Sequence, residues 1–373
     1  MTDHNPSKTA YLHKHPDRKS HSASAVSAII LLAFAMLMSY FLAGCGSIGL
    51  QHLRKGYEDT VPTLPDMLEN TTVEIDNSEG NTVLPEEWKS GWIRYEGDIY
   101  KYKEDILTFL VMGIDKWGKV TKGKNGIDGG QADALFLLIM DPELNKMRVL
   151  AINRNTMADV DIYDEAGNYL GVGTAQICLQ HGYGDGLQQS CERQVRAVRK
   201  LLYNLPIHGY IAINKDVTGL LANAVDGVTV PRMTHGEDGE IIYGDDQTLY
   251  GKDAIYYVSK RGEEYEAARF RLQKEKVFFK ALFGKIRTRL KENPTVVVNL
   301  YNSIAPYSVT DIDVSELTYL AEIYGKYDLD EQIYELEGTT ISESNAETTH
   351  EEFIYDENQL YKLMLELFYR KVQ

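Results

Sequence analysis

Cysteine is scarce. Cys45, Cys178 and Cys191 are the three in 373 residues, too few for a disulfide scaffold and without the paired spacing of a zinc site. Basic charge is also short: 39 Lys and Arg face 55 Asp and Glu, a formal net charge of −16. That balance argues against a nucleic-acid-binding surface, because phosphate-backbone affinity comes from clustered cations. The chain is nevertheless 43% hydrophobic and 25% charged, which gives one large or two modest domains a sizeable core and excludes a disordered chain.

One stretch carries no charge at all. Residues 26–44 read VSAIILLAFAMLMSYFLAG, the length a helix needs to cross about 30 Å of hydrocarbon. Lys8, Lys14, Arg18 and Lys19 precede it, and an acidic segment comes after Arg54 and Lys55. The positive-inside rule therefore keeps residues 1–25 as a cytoplasmic basic tail and exports everything after Leu50. The run ends Leu42-Ala43-Gly44-Cys45, similar to the lipobox of bacterial lipoproteins, in which Cys45 would be lipidated after cleavage. The long basic region ahead of it suits an uncleaved spanning helix instead. Residues 26–45 are thus either a lipoprotein signal or a transmembrane helix, with the same topology: a cell-membrane protein whose bulk is extracytoplasmic.

Residues 46–103 contain Pro62, Pro65 and Pro85 among many polar residues and read as an exported stalk, with the stretch from Trp88 to Tyr102 close enough to pack on the C-terminal domain. From residue 104 to 373 the pattern is that of a folded domain. Ile106–Ile114 and Ala134–Met140 are strand-length runs too apolar to face water on one side. The turn Asp141–Lys146 leads into Met147–Asn153, which predicts an antiparallel hairpin. Helices are expected over Gln189–Tyr203, Lys215–Ala224, Glu266–Lys291, Val314–Tyr324 and Glu357–Tyr369, with short strands at Tyr210–Ile213 and Val228–Val230 and a polar loop at His235–Gln247. The fold class is α/β, a mixed and mostly antiparallel central sheet covered by helices on both faces and preceded by one membrane anchor.

The motifs of this region resemble, in order, those of the LytR-CpsA-Psr family, the cell-envelope "transcriptional attenuator" domain. Gly113-Ile114-Asp115 fits the family's Gly-x-Asp at the end of its first strand. Gln131-Ala132-Asp133 stands where the family has Arg-x-Asp. Asn153-Arg154-Asn155-Thr156 matches Pro-Arg-Asp-Thr with the Asp exchanged for Asn. Leu205–Tyr210 with Asn214, and Val225–Val230, are close to the family's central block. Gly251–Arg261 fits the Tyr-x-Arg-x-Arg helix end, with Ser259 in the place of the first arginine. Arg271-Leu272-Gln273-Lys274-Glu275 fits Arg-x-x-Arg-Gln with Lys and Glu at its last two positions.

The resemblance implies a membrane-anchored phosphotransferase that takes a glycopolymer from a polyprenyl-pyrophosphate carrier and joins it to peptidoglycan. In that reading Asp115, Asp133 and Arg154 are catalytic, Asp115 and Asp133 hold Mg²⁺ (or Mn²⁺), and Arg154, Arg261, Arg271 and Lys274 bind pyrophosphate. The charge logic is general: pyrophosphate is held by guanidinium forks or a divalent cation, and hard cations prefer carboxylate oxygens. An apolar tunnel for the polyprenyl chain would draw on Val277, Phe278, Phe279 and Leu282, which ordinary core packing explains equally well.

Simpler readings stand beside these. Asp115 and Asp133 can cap loops, Arg154 can be a surface residue at a strand end, and the charges at 261–275 can be a solvated, ion-paired helix face. Cys178 and Cys191, 13 positions apart, are either a disulfide or two buried thiols. The departures at Gln131, Asn155, Ser259 and Glu275 support an alternative function, a catalytically degenerate lipoprotein that binds polyprenyl phosphates or envelope glycans without turnover. Direct transcriptional control conflicts with an exported, acidic domain.

Overall fold

The computed structural model describes residues 48–57, 60–65, 91–236, 240–260, 267–292, 296–324, 327–344 and 349–372. The apolar run at 26–44, Cys45 and Arg261 lie outside them. Among the described residues no helix is long and apolar enough to cross a membrane.

In chain order the strands are β1 (Trp92–Tyr95), β2 (Asp98–Tyr102), β3 (Leu107–Ile114), β4 (Ala132–Asp141), β5 (Lys146–Ile152), β6 (Met157–Tyr163), β7 (Tyr169–Gln176), β8 (Gly209–Asn214), β9 (Val228–His235), β10 (Ile241–Leu249), β11 (Ser308–Thr310), β12 (Asp328–Glu335), β13 (Gly338–Ser344), β14 (Thr349–Tyr355) and β15 (Tyr369–Lys371). Six of them form the central sheet in the order β11-β8-β3-β4-β5-β12. The pairs β3–β4, β4–β5 and β8–β11 are antiparallel, whereas β3–β8 and β5–β12 are parallel. The sheet is therefore mixed and mostly antiparallel, as the apolar runs and the Asp141–Lys146 turn predict.

Successive side chains of a strand point to opposite faces, and the two faces here have different covers. Leu110, Met112, Leu135, Leu137, Leu150 and Ile152 pack with Val198 and Leu201 of the helix Gln188–Leu201 and with Leu360, Met364 and Phe368 of the helix Glu357–Phe368. Phe136, Val149 and Ala151 pack with Leu272 and Phe279 of the long helix Ala267–Glu292. A separate cluster joins that helix, through Phe278 and Leu282, to the helices Asp216–Ala224 and Gly251–Ser259 and to the β9–β10 hairpin. Also described are helices Val296–Ile304 and Val314–Tyr324, the single turn Leu179–Gly182 and a 3-10 turn at Ala305–Tyr307.

Two expectations change and one open alternative is decided. The segment 235–247, predicted as a polar loop, contributes β10, whose register with β9 runs from Ile241↔His235 to Leu249↔Val228 with a bulge between Tyr243 and Asp246. Its outward-facing Asp and Gln residues hide the strand period, and cross-strand backbone bonds form it regardless. The segment expected as a stalk is partly integral to the domain: Leu53 is 1% exposed and packs with Leu107, Phe109 and Met140. A Cβ on Gly49 would fall 2.3 Å from the Ser315 carbonyl oxygen, so glycine there permits the approach. β1, β2 and the C-terminal β15 make one sheet, with Tyr369 opposite Tyr102. Finally, Cys178 and Cys191 are free and buried. Arg154 donates to the Cys178 sulfur at 3.2 Å and Cys191 lies 3.7 Å from His181 Nε2, so of the two readings left open it is the buried thiols that hold, engaged with different partners.

Candidate functional site

The β3–β4 connection brings the first carboxylates together. Gly130, with φ +81°, lets the chain turn back so that the Gln131 N–H donates to Asp115 Oδ1 at 2.8 Å while the Asp115 N–H donates to the Gln131 carbonyl at 3.0 Å. Asp133 enters β4 two residues later, and the end of β5 delivers Arg154 opposite it.

Arg154 is 8% exposed and its fork is fully engaged. One arm donates to Asp133 Oδ1; the other donates to Gln131 Oε1 and to Cys178 Sγ. Arg271, on the first turns of the long helix and 3% exposed, reaches the same carboxylate from across the sheet: Nη1 lies 3.6 Å from Asp133 Oδ2, and Nη2 donates to the Asp133 carbonyl at 3.4 Å. Two guanidiniums thus share one carboxylate. The Arg154 Nε–H is buried without a hydrogen-bond partner, and a buried donor left unmade costs about 1–3 kcal/mol. An anion at this place would recover part of that cost.

Glu275 sits one turn beyond Arg271, with Oε1 3.4 Å from Arg271 Nε. Burial pushes its carboxyl up to about 7 against the pull of Arg271. Burial also lowers the Lys274 ammonium to about 8. Lys274 donates to the Lys260 carbonyl at 2.7 Å and lies 5.2 Å from the Phe270 ring centre, so the structure directs it away from Asp133, contrary to its expected place on the pyrophosphate. Asn155 is likewise turned aside, donating to Glu351 Oε2 at 3.4 Å. Ser259, in the place of an expected arginine, donates to the Ile255 carbonyl of its own helix.

Asp133, Arg271 and Glu275 line a cavity whose walls are mostly apolar, with Val111, Phe136, Phe278, Phe279 and Leu282 among them, and which Asn214, Lys215, Thr218 and Ser259 also line. Of the four side chains on which a polyprenyl tunnel would draw, Phe278, Phe279 and Leu282 line this cavity and Val277 is not among its lining residues. Phe279 is stacked between Phe136 and Phe283, at 4.7 and 4.3 Å.

For a hard divalent cation the two aspartates differ. Oδ2 of Asp115 makes no hydrogen bond among the described residues, whereas both Asp133 oxygens face guanidiniums. One carboxylate with substrate phosphate oxygens and water fits the way Mg²⁺ is held, so Asp115 fits the ion and Asp133 fits the arginines. Three members of this site escaped the sequence reading as contributors: Gln131 as an acceptor, Cys178 as the floor beneath Arg154, and Glu275 as a buried acid. The signal for Gln131 was its place beside Asp133; Cys178, distant in sequence, gave none.

The fold is shared with solved structures. Protein gbs0355 from Streptococcus agalactiae superposes with a TM-score of 0.56 at 18% identity, covering 70% of this chain and 86% of that one. TagV from B. subtilis gives 0.52 at 20%, covering 71% and 96%. Among curated proteins, a polyisoprenyl-teichoic acid–peptidoglycan teichoic acid transferase TagU from Oceanobacillus iheyensis is 28% identical over 170 residues, 44% of this chain and 47% of the relative. The same-named protein of Bacillus anthracis is 24% identical over 163 residues, 43% and 46%. The chain thus spans about half the length of the curated relatives it matches. The family-wide sequence pattern reaches much further, from residue 69 to 367, and by that match the chain belongs to the LytR_cpsA_psr family.

Proposed function

We propose that this protein is a membrane-anchored, extracytoplasmic phosphotransferase that moves a glycopolymer from a polyprenyl-pyrophosphate carrier to peptidoglycan. The observation that carries the reading is the pair of buried guanidiniums converging on Asp133, which with Arg271 lines a mostly apolar cavity. An anionic headgroup on a long hydrocarbon chain needs both. The names of the TagU relatives support the same class of substrates.

Arg154 and Arg271 bind and orient the pyrophosphate, with the Arg154 Nε–H, which has no hydrogen-bond partner, available to its oxygens. Asp133 fixes the two planes in advance, so little reorganisation accompanies binding. The apolar walls take the first isoprene units and exclude water. Bound Mg²⁺ (or Mn²⁺) at Asp115 would supply charge neutralisation at the phosphates. In the reaction the acceptor hydroxyl oxygen bonds to the glycan-side phosphorus, the phosphoanhydride bond breaks, and polyprenyl phosphate leaves with the bond's electron pair. In-line phosphoryl displacement is catalysed chiefly by such positioning and charge stabilisation.

The test uses the full-length protein in detergent with a short-chain polyprenyl-pyrophosphate disaccharide, peptidoglycan and Mg²⁺. Release of polyprenyl phosphate that disappears in both Arg154→Ala and Asp115→Ala is the expected result. A second reading, binding without turnover, is favoured by the engagement of both arms of Arg154 by Asp133, Gln131 and Cys178. It holds if the wild type binds the carrier but releases no more product than the two variants.

A further inference from the structure

Arg154 and Arg271 come from distant parts of the chain, yet the residues beside them bond one and the same side chain. Asn155 follows Arg154, and Ala268 precedes Arg271 by three residues, which puts it on the same side of the long helix. Asn155 Nδ2 and the Ala268 N–H both donate to Oε2 of Glu351, at 3.4 and 3.3 Å. We infer that Glu351 is a positioning residue, which from the β13–β14 hairpin ties the segment that delivers Arg154 to the helix turn that delivers Arg271. The inference rests on the phosphotransferase reading and adds to it the device that holds its two guanidiniums in register.

The hairpin is stitched to the Arg154 segment by its backbone. The Phe353 N–H donates to the Asn155 carbonyl at 2.9 Å, and Thr156 pairs with Phe353 in a parallel bridge. Gln176, at the end of β7, donates through Nε2 to the Glu351 carbonyl at 2.6 Å. Glu351 is thereby fixed at both neighbours before its side chain makes any contact. Its Oε2 then reaches an N–H in the first turn of Ala267–Glu292, where the helix leaves donors unmatched and favours negative charge. A shift of either element breaks one of the two bonds to that oxygen.

Two further observations fit a positioning role. Glu351 is buried, and its Oε1 has no hydrogen-bond partner among the described residues. An unmatched buried acceptor costs stability, so stability alone does not account for the residue. The departure of Asn155 from the aspartate of the family motif also falls into place. An aspartate there would set two carboxylates against each other, whereas asparagine supplies the donor that Glu351 needs.

The test is a donor-acceptor swap. The full-length protein in detergent is titrated by calorimetry with short-chain polyprenyl pyrophosphate, well below the melting temperature of every variant, with Arg154→Ala as the control for the site. Asn155→Asp and Glu351→Ala are each expected to bind about ten-fold more weakly, and the double variant Asn155→Asp/Glu351→Gln, which reverses the bond, to return to within about three-fold of wild type. A merely structural role would lower the melting temperatures and leave these affinities alone. Single variants that bind as wild type, or a double variant no tighter than Asn155→Asp, overturn the inference. Hydrogen exchange without carrier gives a second reading. Asn155→Asp should speed exchange of the amides at 268–271, which it reaches only through Glu351, and leave those at 282–290 unchanged; equal exchange at 268–271 overturns the tie. If the wild type does not bind the carrier, or Arg154→Ala binds it equally well, the phosphotransferase reading fails, and the exchange result still decides the role of Glu351.

Discussion

At Arg154 three acceptors meet one guanidinium, and removing any of them leaves a buried donor without its acceptor. Asp133→Ala strips the shared partner from two buried arginines and is expected to cost about 3–5 kcal/mol, measured as a lowered urea midpoint at unchanged slope. Glu275 gives a pH test. Its folded carboxyl lies near 7 against an ordinary value of 4.5, so the folded state holds a proton that the unfolded state has lost. The contribution is therefore fully favourable below pH 4.5 and is lost as pH rises towards 7. Glu275→Gln removes the titration. Its stability relative to wild type should rise steadily between pH 4.5 and 7 and stay flat outside that window, as read from thermal midpoints. The aspartates and arginines of this site were legible because their sequence neighbours match a known pattern. Glu275 was legible only as a departure, because its burial depends on a helix docking across the sheet.

On the scale of elements, the β3–β4 connection and the long helix position everything else. Gly130→Ala would hold a side chain at φ +81° and place a Cβ 2.9 Å from Asp115 Oδ1. A loss of about 1–3 kcal/mol with weaker carrier binding is expected, whereas the same change at the exposed, uncrowded Gly97 should leave binding intact. Phe279→Ala removes the middle ring of a three-ring stack and should cost about 3–5 kcal/mol, while polyprenyl-pyrophosphate binding shifts because the apolar cavity widens. The apolar central strands and the 3.6-residue pattern of the major helices were readable in sequence, since each buries a continuous face. The β6–β7, β9–β10 and β13–β14 hairpins were not. Their strands expose apolar residues such as Leu170, Val172, Ile242 and Ile341 alongside polar ones, so no alternating period marks them and pairing defines them.

For the molecule as a whole, two buried thiols replace the disulfide that the cysteine spacing allowed. Burial raises the Cys178 and Cys191 thiols above their usual range. In a Cys45→Ser background neither should react with a thiol reagent until denaturant is added, and a reducing agent should leave the melting temperature unchanged. The segments around residues 48–57 and 91–103 also belong to the whole: Arg54 bonds Asp105 at 2.9 Å and β2 pairs with β15. Composition reads residues 48–57 as part of a spacer, yet Leu53 there is buried against the sheet.

The amino-acid sequence by itself determined the charge balance that argues against a nucleic-acid surface, the apolar run at 26–44, the central strands, the major helices and the order of the family's motifs. These are properties of neighbouring residues, and local chemistry suffices to express them. Tertiary structure alone decided that Arg154 and Arg271 meet on one carboxylate, that Lys274 points elsewhere, that Cys178 lies under a guanidinium, and that a mostly apolar cavity flanks the long helix. Each of those joins residues tens to hundreds of positions apart, and only the packing of a mixed sheet between its helices sets such distances.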